Sequence, residues 1–248
     1  MRSTPGLSLT HGLAEALGRA IVAGDYNDEG FPTEGELARQ LGASRNVTRE
    51  AVKMLTAKGL LTARPRHGTT VEPPSKWNLL DPDVLRWLLD RKFSVALLTA
   101  FTEMRLAFEP QAAALAARRA DAAGRIAIAQ AIERMREAAE GRDDHASADM
   151  AFHASVLEAS GNPFFVQLRE LVNTALRISL RATYQVKSLG QSLEDHERAA
   201  DAILAGDAAG AHHAMEAMML DVLRQLASLP PEALNGVDQE RPARRGVG

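Results

Sequence analysis

At 248 residues, with 46% hydrophobic side chains but only 4% aromatics, the chain is long enough for one large domain or two modest ones, and its Leu- and Ala-rich composition suits a mainly helical protein. It contains no cysteine, which excludes disulfide frameworks, thiolate nucleophiles and Cys-based zinc fingers, so any metal must be held by His, Asp or Glu. A net charge of −3 excludes a protein that is basic throughout, yet within 39–67 Arg39, Arg45, Arg49, Lys53, Lys58, Arg64 and Arg66 face the single acid Glu50, a basic stripe that suits phosphates.

From the N-terminus, the spacing of Leu9, Leu13, Leu17, Ala20 and Ile21 predicts an amphipathic helix that stops near Gly24. Apolar residues spaced in this way do not make a secretory signal, and no run of about 18 apolar residues follows, so a cytoplasmic protein without a membrane span is expected. In "FPTEGELARQLG", Thr33 and Glu36 form a capping box, Leu37 and Leu41 give the predicted buried face, and Gly42 ends the helix. Ser44 caps a third helix. Its Val47, Ala51, Val52 and Leu55 are expected inward, and its Arg45, Asn46, Thr48, Arg49 and Lys53 outward. Two short helices joined by a Gly-containing turn, the second basic at its start, describe a helix-turn-helix. In "GLLTARPRHGTTVEPP", Leu60–Ala63 and Thr69–Val71 have β-type composition around a turn at 65–68, which predicts a two-stranded wing. Arg64, Arg66 and His67 at its tip would sit over phosphates or a minor groove.

The run "FPTEGELARQLGASRNVTREAVKMLTAKGLLTARPRHGTTV" resembles the winged-helix domain of the GntR family of bacterial transcription regulators. The resemblance covers roughly residues 1–72. It implies a DNA surface built on Arg39, Ser44, Arg45, Asn46, Thr48 and Arg49, with Arg64, Arg66, His67 and Gly68 on the wing. Gly35 stands where many relatives have an arginine, and Thr48 replaces the usual aliphatic residue, so operator preference does not carry over.

Pro73 and Pro74 then break regular structure, and 73–92 reads as a linker with a short helix. From 93 to 229 the pattern is helical almost throughout, with short loops, which predicts an antiparallel all-helical bundle. Residues 230–248, rich in Pro, Gly and charge, read as a disordered tail. In "ADMAFHASVLEASGNP", Asp149 and His153 lie four residues apart and share a helix face, while His196 falls on a different helix. A carboxylate and two imidazoles from facing helices can hold a divalent ion, but spacing alone leaves a polar patch equally open.

The motifs "EMRLAFEPQAAALAA", "ADMAFHASVLEASGNPFF" and "LEDHERAADAILAGDAAGAHHAMEAM" resemble the ligand-binding (FCD) domain of the FadR subgroup of that family. The resemblance implies a divalent metal, zinc or a similar transition ion, on Asp149, His153 and His196. Met218 stands where a further histidine is usual, so the ligand set is weakened. It also implies that Arg105 faces an acidic effector, since a guanidinium matches a carboxylate bidentately, with Arg177, Thr183, Tyr184 and Met218 around it. "KWNLLDPDVLRWLL" is most similar to regulators that sense sugar acids such as galactonate. The expected function is therefore a homodimeric repressor on a pseudo-palindromic operator in double-stranded DNA, released by a small organic acid. The competing reading is a metal-dependent enzyme acting on a small carboxylate, or a regulator sensing a dicarboxylate or a fatty-acid derivative. Against an enzyme, there is no HExxH pattern and no general base beside the metal pair.

Overall fold

The computed structural model describes residues 5–26, 30–64, 68–91, 94–183 and 189–228, which form two compact units, one within Met1–Arg91 and one within Lys92–Gly248. The expected mainly helical architecture, a winged helix-turn-helix followed by a helical bundle, is present.

The first unit contains α1 (Pro5–Ala23), α2 (Glu34–Gln40), α3 (Arg45–Ala57), β1 (Leu61–Arg64), β2 (Gly68–Val71) and α4 (Pro82–Arg91). Local chemistry sets the helix starts. Thr33 Oγ1 accepts from Glu36 N at 3.3 Å while Glu36 Oε2 accepts from Thr33 N at 2.9 Å, the reciprocal capping pair expected from the sequence. Ser44 Oγ likewise accepts from Val47 N at 3.3 Å. The two strands pair antiparallel, with Leu61 opposite Val71 and Arg64 opposite Gly68. Leu17, Ile21, Leu37, Val52, Leu55, Leu60 and Leu61 make one apolar core. Five apolar positions depart from expectation: Leu9 and Leu41, the latter at the C-cap of α2, are exposed, and Leu13, Ala20 and Val47 are only half-buried.

The segment read as a linker is instead built into this unit. Trp77, Val84 and Trp87 join its core. Trp77 Nε1 donates to the Glu72 carbonyl at 2.8 Å, and Trp87 Nε1 donates to Glu15 Oε2 at 2.9 Å. Arg86 grips Glu15 with two bonds of 2.7 Å, and Lys58 reaches Asp81 at 2.7 Å and Asp83 at 2.9 Å. These bonds to Arg86 hold the Glu15 carboxyl at about 2 against the upward push of burial, with Trp87 and Arg19 helping. Two glycines permit the seating. A Cβ on Gly18 would lie 2.4 Å from the Trp87 ring, and one on Gly59 (φ 77°) would lie 2.6 Å from the Lys76 carbonyl.

The second unit contains α5 (Val95–Arg119), α6 (Ala122–Ala139), α7 (His145–Ala159), α8 (Pro163–Gln167), α9 (Arg169–Thr183), α10 (Leu189–Ala205) and α11 (Ala208–Ser228). Side chains of Ser94, Asp121, Asp144 and Asn162 cap α5, α6, α7 and α8. Helices α8 and α9 are separated at Leu168, whose N–H donates to the Phe165 carbonyl at 3.1 Å in a tight turn. Helix α5 runs along α11 and meets α7 and α10, so these inner faces surround a shared interior. Among the described residues no helix is long and apolar enough to cross a membrane. The tail expected at 230–248 lies outside the described residues.

Candidate functional site

Two surfaces carry chemistry, one in each unit. In the first, α3 has a buried stripe of Thr48, Ala51, Val52 and Leu55 at helical spacing, which turns Arg45, Asn46, Arg49 and Lys53 to solvent. Arg49 Nη2 donates to Asn46 Oδ1 at 2.8 Å, which uses one of its N–H groups and leaves the others facing outward. Arg39 is exposed at the end of α2. Ser44 is exposed, with its hydroxyl oxygen occupied as the α3 cap.

Thr48 corrects the sequence reading. It is fully buried, and its Oγ1 donates to the Ser44 carbonyl at 3.2 Å. The hydroxyl made it look like an outward residue, but the phase of α3 puts it in line with Ala51, Val52 and Leu55. Back-bonding to the preceding turn satisfies the hydroxyl inside the core. On the wing, Gly68 opens β2 with φ 79°. The side chain of Arg64, together with Arg66 and His67, lies outside the described residues.

In the second unit, α7 supplies Asp149 and His153 and α10 supplies His196, all nearly fully buried, with one ligand atom of each within 4.8 Å of the others. His153 Nε2 is 3.7 Å from Asp149 Oδ1, and His196 Nε2 is 3.4 Å from Asp149 Oδ2. The three residues that the sequence singled out thus lie together. Their tautomers follow from their other contacts. His196 Nδ1 sits 2.7 Å from the Ser192 carbonyl, and His153 Nδ1 sits 2.6 Å from Glu109 Oε2. Each Nδ1 therefore carries a hydrogen; His196 Nε2 turns a lone pair toward the Asp149 carboxylate, while His153 Nε2 lies between Asp149 Oδ1 and Arg105 Nη2. Asp149 Oδ1 and His196 Nε2 are buried without a hydrogen-bond partner. Burial pushes the His196 imidazole down to about 4, only partly opposed by Asp149, so it stays neutral at physiological pH. These two unpartnered acceptors beside His153 fit a divalent cation, and the His₂Asp donor set suits a transition metal.

The effector-side expectations fare unevenly. Arg105 is buried on α5, but the carboxylate it meets is Glu109 of the same helix, with Nε–Oε1 at 2.5 Å and Nη2–Oε2 at 3.2 Å. Its Nη2 also lies 3.3 Å from both ring nitrogens of His153. Met218 is buried on the inner stripe of α11 with Met215 and Met219. Arg177 is exposed on α9, one residue beyond the inner stripe of Leu171, Val172, Ala175 and Leu176, so it does not join the cluster. The side chain of Thr183 and all of Tyr184 lie outside the described residues.

Glu109 was not singled out by sequence reasoning. It is buried between Arg105 and His153. Burial alone would raise its carboxyl, but those two neighbours hold it at about 2. The one local signal was its spacing of four from Arg105, which puts both on one helix face.

Comparison with known proteins agrees with this geometry. A family model described as bacterial regulatory proteins, gntR family, matches residues 9–71, and one described as FCD domain matches residues 100–221. The chain is 34% identical over 218 residues to the uncharacterized HTH-type transcriptional regulator YieP of Escherichia coli (strain K12), a match covering 86% of this chain and 93% of that protein. It is 31% identical over 226 residues to the galactonate operon transcriptional repressor of the same organism, covering 90% of this chain and 99% of the relative. Among solved structures it is similar to Streptococcus agalactiae GntR, with TM-score 0.50 and 25% identity, covering 87% of this chain and 99% of that one.

Proposed function

From the premise that the chain belongs to the gntR family of bacterial regulatory proteins, with an FCD domain as its second unit, we propose that it is a metal-dependent, acid-responsive repressor. Family membership makes it a DNA-binding transcriptional regulator and not an enzyme. The finer reading concerns what it senses. The observation that carries it is the buried set Asp149, His153 and His196, in which Asp149 Oδ1 and His196 Nε2 have no hydrogen-bond partner.

Those three residues would hold a divalent ion of the zinc type. When bound, such an ion offers its open coordination positions to an oxygen ligand, for which a small organic acid is well suited. The Nε and Nη2 of Arg105 are engaged by Glu109, so the ligand would meet its remaining N–H groups rather than a free fork. Thr183 and Tyr184, at and beyond the end of α9, are candidates for the ligand's hydroxyls. Similarity to a galactonate operon repressor supports a sugar acid as the effector class.

On DNA, the protein would act in the cytoplasm as a homodimer. It would present two copies of α3 to major grooves about 34 Å apart, on a pseudo-palindromic operator. Arg39, Arg45, Asn46 and Arg49 would make the contacts from α2 and α3, and Arg64, Arg66 and His67 would act from the wing. Release by the acid requires reciprocal coupling, so operator DNA must weaken acid binding by the same factor that the acid weakens operator binding.

The test is thermal unfolding of the full chain with a panel of sugar acids, with and without chelator, followed by titration of the active acid in the presence and absence of operator. One acid should raise the midpoint only when metal is present, and operator should lower its affinity. Equal acid affinity with and without operator sinks the repressor mechanism.

A further inference from the structure

The chemistry around Asp149, His153 and His196 extends to a residue that is not a ligand. Glu109 Oε2 accepts from His153 Nδ1 at 2.6 Å, and the same carboxylate is bound by Arg105 through Nε and Nη2. All three side chains are nearly fully buried. We infer that Glu109 is the positioning residue of the metal site: it fixes the tautomer and aim of His153, and Arg105 is its counter-ion rather than a vacant anion hook. The inference rests on the metal reading above.

The two ring nitrogens of His153 have different partners. A histidine whose Nδ1–H is given to a carboxylate presents Nε2 as a lone pair and is more electron-rich than one hydrogen-bonded to a neutral acceptor. His196 meets the lesser condition, since its Nδ1–H goes to the Ser192 carbonyl. The two imidazoles therefore differ in strength, with His153 the stronger donor. Glu109 could not serve so well alone, because an unpaired carboxylate at this depth would be costly to bury. Arg105 removes that cost: its Nε binds Oε1, and its Nη2 binds Oε2, the oxygen that also takes the ring hydrogen. It reaches Glu109 from the preceding turn of α5, so one helix carries both members of the ion pair.

A merely structural ion pair and a positioning carboxylate differ in what they control. If the pair only held α5 to α7, its loss would lower stability and leave the affinity for a metal alone unchanged. If Glu109 aims His153, its loss weakens metal binding even where the fold survives. Outer-sphere carboxylates of this kind typically contribute about 10- to 100-fold in metal affinity.

The experiment uses the full chain and Zn²⁺ alone, with competition against a chromophoric chelator. Wild type should bind zinc, E109Q should bind it roughly 10- to 100-fold more weakly, and the double variant R105Q/E109Q should match E109Q. The double variant removes the unpaired buried cation that could unfold the single one. On wild type itself, proton NMR should show a downfield Nδ1–H of His153 that shifts on zinc addition. If wild type binds zinc and the folded variants bind equally well, or if that resonance is absent, the inference is overturned while the metal reading stands. If wild type does not bind zinc, the metal reading itself falls and takes the inference with it.

Discussion

Nε2 of His196 lies 3.4 Å from Oδ2 of Asp149, and neither atom has a hydrogen to offer the other, because the ring hydrogen is directed at Ser192. Two buried acceptors face each other at a distance where a cation between them gains from both. Adding Zn²⁺ should therefore raise the unfolding midpoint of the full chain, by an amount equivalent to about 2.7 kcal/mol at a hundredfold excess over the dissociation constant. D149N and H196A should lose the response. Scanning fluorimetry with and without chelator decides it: no zinc shift in wild type removes the metal from the mechanism.

Thr48 and Arg49 are sequence neighbours with opposite fates, one in the core and one in solvent. Substituting Thr48→Val should leave operator affinity within about twofold and change stability by about 0.5–1.5 kcal/mol, the net worth of one hydrogen bond, since the hydroxyl serves only its own helix and the Ser44 carbonyl keeps its bond from Thr48 N. Arg49→Ala should weaken binding and reduce the slope of log affinity against log salt by about 1 if it meets a phosphate, or cost about 1–3 kcal/mol at one base pair if it meets a base. Fluorescence anisotropy on an operator fragment at several salt concentrations separates these. A loss with Thr48→Val as large as that with Arg49→Ala would place Thr48 on the DNA after all.

Local chemistry made much of this legible in advance. The Thr33–Glu36 capping pair and the Ser44 cap are decided within four residues, and the Asp149–His153 spacing is a property of any helix. What escaped depends on packing across elements. Leu41 has the right phase but sits at the C-cap of α2 and stays exposed. Glu109 gains its meaning from His153, which arrives on another helix. The supposed linker held its own clue: both tryptophans of the chain, Trp77 and Trp87, lie within it, and such large apolar surfaces seek a core. Thr48 was misjudged because a hydroxyl counts as polar until its backbone partner is known.

The fit of Trp87 against α1 is tested by glycine. At Gly18 a Cβ would sit 2.4 Å from the Trp87 ring, while at Gly12 on the same helix it would meet nothing within 4 Å. Gly18→Ala should destabilise the first unit by about 1–3 kcal/mol through overpacking. Gly12→Ala should be neutral or stabilise by up to about 1 kcal/mol from helix propensity. Chemical denaturation followed by tryptophan fluorescence reports directly, since both indoles lie in this unit. Equal behaviour of the two variants would mean that α4 does not pack where Gly18 requires.

The Glu15–Arg86 pair that anchors α4 to α1 should make the first unit acid-sensitive. The Glu15 carboxyl is held at about 2 by Arg86, whereas an unfolded glutamate titrates near 4.3. A carboxyl depressed on folding contributes stability that is complete above the unfolded value and is lost as pH falls toward the folded one. The window is therefore about pH 4.5 down to about 2. The side chain is 35% exposed, so solvent screening limits the contribution to the order of 1 kcal/mol. Glu15→Gln should lower stability by that amount at pH 7, and the gap from wild type should close as pH falls through the window. High salt should narrow it at pH 7 as well, because a partly exposed pair is screened. A gap that stays constant from pH 7 to pH 3 would assign the loss to the Trp87 hydrogen bond and packing rather than to charge, since those do not titrate.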